Sequence, residues 1–192
     1  KPTIPIELKE CIYRISYVTN TPVKDIAERI SVAGLKSKKV IEILAEHFRR
    51  DLQIGNTFYM GDLERESLQK IKTKSKTERI TIRFKQFNFE QIRALAYSLD
   101  VTPTRAVALL LEHTIHHTNI VNRLAKQYLK DNINESKMRE LKKIIHYLNQ
   151  NSNYDEKISW VALLSFFYDE LKDSSTNMSK AIVNWINNIK KN

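Results

Sequence analysis

Between residues 79 and 85 the chain alternates strictly: Ile80, Ile82 and Phe84 are apolar, and Arg79, Thr81, Arg83 and Lys85 are basic or polar. A period of two predicts a β-strand with every apolar group on one face and every hydrogen-bond donor on the other. Such a strand cannot stand alone. Helices follow it. Phe89, Ile92, Leu95, Ala96 and Leu99 share one helical face, and Thr102-Pro103 caps and opens a second helix that runs through Val107, Leu110, Leu111 and Thr114. Strand, helix, turn and capped helix fit into about 40 residues.

The 192 residues carry 32 Lys and Arg against 22 Asp and Glu, a formal charge of +10, which points to a polyanionic partner and to nucleic acid first. More than half of that excess, +6, lies within residues 70–105. This segment opens with Lys70-Ile71-Lys72-Thr73-Lys74-Ser75-Lys76-Thr77, too polar to pack, and reads as a basic linker over 70–78. The chain holds only three glycines, and Gly34, Gly55 and Gly61 form neither a GxGxxG nor a Walker loop. No apolar run is long enough to span a membrane, so no membrane partner is expected. The single cysteine, Cys11, and an N-terminus without signal-peptide character make the cytoplasm the expected compartment.

Ahead of the linker, Leu8, Cys11, Ile12, Ile15 and Val18 predict a helix over 5–18. Thr21-Pro22 opens a second helix that ends at Gly34, and Ser37 opens a third with Val40, Ile41, Leu44 and Phe48 as its buried stripe. Leu52–Ile54, Gly55-Asn56 and Thr57–Met60 read as a hairpin. Three helices and a hairpin resemble a winged helix-turn-helix, which implies a first domain over 1–69 with Lys36, Lys38 and Lys39 as flanking DNA contacts. The alternative is an internal repeat. At an offset of 66, Glu46-His47 falls on Glu112-His113, and Ile26, Leu35, Ile41 and Leu44 fall on Ile92, Val101, Val107 and Leu110. The strand would need an offset of 67, and Leu8, Ile12 and Ile15 fit a helix better than a strand, so the winged reading is preferred.

Residues 79–118 resemble the ribbon-helix-helix family, which includes the Arc and MetJ repressors. In that family two chains pair their strands into an antiparallel ribbon that enters the major groove. The resemblance implies a homodimer with Ile80, Ile82 and Phe84 in its core and with Arg79, Thr81, Arg83 and Lys85 facing base edges. It further implies phosphate contacts from the start of the second helix, at Thr102, Thr104 and Arg105, and Lys72, Lys74 and Lys76 add charge along the backbone. Arg83 suits a guanine edge, which accepts two hydrogen bonds, and a helix N-terminus suits an anion.

From Thr118 onward there is no Gly or Pro, and helices are expected over 120–129, 138–148, 158–171 and 178–189. Trp160, Leu163, Leu164, Phe167 and Leu171 form a broad stripe, so 119–192 is expected to be a helical bundle, with its own core or with a protein partner on it. His113, His116 and His117 have helical spacing but no second ligand pair, so neither metal nor cofactor is expected. No hydrolase, zincin or phosphate-loop motif is present, which favours binding over catalysis. The chain therefore reads as a mainly α protein that binds double-stranded DNA sequence-specifically as a dimeric transcriptional repressor. A plasmid-partition or conjugation accessory role is the alternative within DNA binding, and an antitoxin or other protein-interaction module is the alternative outside it.

Overall fold

Pro2 and Pro5 keep the start of the chain out of a helix, and the residues between them form a short strand, β1 (Thr3–Pro5), whose Ile4 is fully buried. The computed structural model describes residues 1–19, 21–69, 71, 75–117 and 119–132, with isolated positions beyond. The chain is mainly helical and divides into two compact units, Lys1–Ile120 and Val121–Asn192.

The first unit contains a strand followed by two helices, and contains it twice. β1 leads into α1 (Ile6–Val18) and α2 (Val23–Leu35); β4 (Thr77–Arg79) leads into α4 (Gln86–Leu99) and α5 (Pro103–His117). Between the two lie α3 (Lys38–Ala45) and a hairpin of β2 (Leu52–Ile54) and β3 (Thr57–Tyr59), turned at Gly55 with φ of 57°. β1 and β4 pair antiparallel, Thr3 opposite Arg79, Ile4 opposite Glu78 and Pro5 opposite Thr77. The amide of Ile6 donates to the Lys76 carbonyl at 3.1 Å, and that of Ile80 to the Pro2 carbonyl at 3.0 Å, extending the ladder at both ends. α2 packs against α5, α1 against α2 and α4 against α5. Ile4, Ile12, Ile26, Ile30, Ile92 and Leu110 are fully buried among them.

Three expectations change. The helices and hairpin of the expected 1–69 domain are present, but they share one unit with residues 79–118, because a strand and a helix from each side pair with the other. The expected linker, 70–78, ends inside a strand, since ladder hydrogen bonds use backbone groups and do not require apolar side chains. The strand expected at 79–85 has its ladder at 77–79, while 81–85 keeps the predicted alternation of exposure without a ladder partner among the described residues. Beyond α6 (Ile120–Asn132), the helices expected over 138–148, 158–171 and 178–189 lie largely outside the described residues.

The segment joining the two halves is clamped onto the α4–α5 turn. Asp100 ends α4 in the left-handed conformation, φ 55°, and its carboxylate accepts from Arg49 at 2.9 Å and Arg50 at 2.7 Å. The backbone amides of Arg49 and Arg50 donate to the Ser98 carbonyl, and Arg50 also donates to the Tyr97 carbonyl while lying 4.6 Å from that ring's centroid. Two cations at the negative end of a helix thus satisfy its last carbonyls and its capping carboxylate together. Ser67 adds a hydrogen bond to the Asp100 carbonyl at 3.0 Å. The hydrogen bond and charge of Arg50, with the charge of Arg49, hold the Asp100 carboxyl below its ordinary range despite some desolvation. A depressed pKa means that this contribution is complete above pH about 4 and is lost as pH falls through the folded-state value. Asn tolerates the left-handed conformation. Asp100→Asn should therefore lower the urea midpoint at pH 7 and flatten the acid limb of stability against pH, as read by circular dichroism.

α2 meets α5 tightly at Gly34. A Cβ there would stand 2.1 Å from Thr114 Oγ1 and 3.2 Å from Leu110 Cδ2. Elsewhere in a helix Gly→Ala gains roughly 0.5–1 kcal/mol of stability. Here the sign should reverse: Gly34→Ala should cost about 1–3 kcal/mol by overpacking. The double variant Gly34→Ala/Thr114→Ala should lose less than the sum of the two single changes in urea titrations, because the clashing hydroxyl is gone.

Candidate nucleic-acid interface

The ribbon has two unlike faces. Inward, Ile4 and Ile80 are fully buried, Ile82 and Phe84 are half-buried, and Glu78 is held by Lys9 of α1 in an ion pair that turns its carboxylate away from the outer face. Outward, Thr3, Thr77, Arg79, Thr81, Arg83 and Lys85 are all exposed. The four residues expected to face base edges therefore fall on one side of one extended segment, and Thr3 joins them from β1. Four side chains at every second position span about 20 Å at 3.3 Å per residue, close to six base-pair steps of 3.4 Å. The row consists of donors only, apart from its threonine hydroxyls, so it complements acceptors on guanine edges and phosphates.

Of Ile80, Ile82 and Phe84, expected in the core between two chains, Ile82 and Phe84 are half-buried within the single chain. Ile80 is closed off within the unit at 2% exposure. The strand opposite β4 is β1 of the same chain.

The start of α5 is partly occupied. The Thr102 amide donates to Gln69 Oε1 at 2.9 Å, and the Arg105 amide donates to Thr102 Oγ1 at 3.3 Å. An anion at 102–105 would thus meet the exposed hydroxyls of Thr102 and Thr104, with the Thr104 amide, instead of a full set of free amides. The Arg105 guanidinium donates to the Ile71 carbonyl at 3.4 Å, which ties the basic segment to α5. Lys76 is exposed beside β4, whereas Lys72 and Lys74 lie outside the described residues. Lys36, Lys38 and Lys39 are exposed at the start of α3, which Ser37 caps, and Lys38 is 3.6 Å from Glu42. α3 packs on α2 and α5.

His113 and His117 stack at 5.7 Å between ring centroids, and burial holds His113 below the ordinary imidazole range. No group of three or more His, Cys, Asp or Glu suited to a metal occurs among the described residues. Cys11 is half-buried, and burial pushes its thiol up, away from reactivity. Among the described residues no helix is long and apolar enough to cross a membrane.

The contribution of β1 escaped the sequence, because three residues carry no periodicity. The Lys9–Glu78 and Gln69–Thr102 contacts join positions too distant for any local pattern. No protein-family model matches the chain, and neither a curated protein nor a solved structure is detectably similar to it.

Hydrogen exchange tests the ribbon. The amides of Ile6 and Ile80 should be protected by their ladder bonds, those of Thr81, Arg83 and Lys85 should exchange quickly in the free protein, and duplex DNA should slow the latter group.

Proposed function

We propose that the chain is a sequence-specific DNA-binding protein whose ribbon enters the major groove, and that it acts as a transcriptional repressor by occupying its site. The observation that carries this reading is the exposed row Arg79, Thr81, Arg83 and Lys85, backed by a buried inner face and joined by Thr3. The net charge of +10 supports it. The ribbon-helix-helix resemblance expects two chains to form the ribbon. In this reading β1-α1-α2 takes the place of the second chain, so one molecule presents both strands and a second copy is not needed to complete them. The winged arrangement is then not required for DNA binding, and Lys36, Lys38 and Lys39 serve as backbone contacts at most. The expected cytoplasmic compartment is compatible with a DNA partner.

The two strands of such a ribbon differ in sequence. Thr3 and Pro5 on one side face Arg79 and Thr77 on the other, so the preferred site should be asymmetric, with its arginine contacts in one half. Selection from random duplexes would provide the site. On it, Arg83→Ala should cost about 1–3 kcal/mol and relax one base position, and Arg79→Ala should relax a neighbouring one. Binding by both variants at wild-type affinity and selectivity would contradict the reading.

A further inference from the structure

The second unit carries a basic cavity separate from the ribbon. α6 places Arg123, Lys126 and Lys130 on one side at helical spacing, and Arg139 and Lys142, three residues apart in the helical residues that follow, face the same space of about 770 Å³. Buried Met138 also lines it, and Glu135 is its one carboxylate among the described residues. All five cations are exposed, and among the described residues none is in an ion pair with an acidic side chain. The ring of Trp160 lies 5.9 Å from Lys126 Nζ, so an aromatic surface borders the charge.

Five positive groups crowded around one concave space repel one another, and a multivalent anion bridging them removes that repulsion. The shape narrows the choice. Duplex phosphates run along a convex ridge, which suits protruding lysines, whereas a cavity of this volume falls within the range of small-ligand sites, roughly 300–1,000 Å³. We propose that this cavity binds a compact polyphosphate, an inorganic oligophosphate or the phosphate tail of a nucleotide, with Arg123, Lys126, Lys130, Arg139 and Lys142 around the phosphates. The proposal does not depend on the ribbon binding DNA.

Calorimetric titration of the full chain with sodium tripolyphosphate and with ATP tests it. One saturable site is expected, weakened at least tenfold in the variant Lys126→Gln/Lys130→Gln, whose exposed positions keep the helical circular dichroism and thermal midpoint unchanged. Equal binding of the two probes marks an oligophosphate site. Tighter binding of ATP marks a nucleotide site with a contact to the base. Absence of saturable binding, or binding indifferent to the double substitution, overturns the proposal. So does a double variant that loses affinity for a 20-base-pair duplex while wild-type protein ignores tripolyphosphate, since the cavity would then be a track for DNA.

Discussion

The pairing of Thr3–Pro5 with Thr77–Arg79 is the constraint from which the first unit follows. It brings together segments separated by more than 70 residues, and closing so long a loop is entropically unfavourable before any contact forms. Three residue pairs cannot hold it alone. The closure is stabilised by apolar burial under the ribbon, at Ile4 and Ile80, and by the α2–α5 crossing, where Gly34 lets two helices meet at a distance that no side chain would permit. The intervening segment is tied down separately by Arg49 and Arg50 on the end of α4 and by Ser67 on Asp100, so it behaves as a fastened insertion.

This architecture explains why one face of the ribbon is open. Ile4, Ile80 and the Lys9–Glu78 pair occupy the helical side, and alternation sends every donor of 79–85 to the other. The same alternation of exposure continues past the last ladder bond, so Thr81, Arg83 and Lys85 stand on the connecting segment between β4 and α4, with Lys85 itself extended. The amides of Thr81, Arg83 and Lys85 have no ladder partner among the described residues, so under the proposed function the contacts to DNA must exceed the cost of ordering this backbone.

Much of the local structure was legible. Ser37 caps α3 through the Val40 amide, Pro103 opens α5, and Gly55-Asn56 turns the hairpin, because each of these depends on residues within a few positions. The exposed row 79, 81, 83 and 85 was legible for the same reason. The tertiary plan was not. Its trace was the pair of Thr-Pro steps, Thr21-Pro22 and Thr102-Pro103, which lie 81 residues apart; each is followed by apolar groups at matching positions, Ile26 with Val107, Ala27 with Ala108 and Ile30 with Leu111. An offset of 66 aligned helices that do not correspond. The strands escaped that comparison because β1 runs directly into α1 while six residues separate β4 from α4, so no single offset aligns strands and helices together.

One chain supplies both strands of the ribbon, and isotope-filtered NMR on a mixture of ¹³C-labelled and unlabelled protein distinguishes this from a ribbon shared by two chains. Cross-strand contacts between Thr3 and Arg79 and between Ile4 and Glu78 should appear within the labelled chain and be absent from the spectrum that selects pairs of labelled and unlabelled chains. Their appearance only in that intermolecular spectrum would contradict the account, since the ribbon would then be built by two molecules.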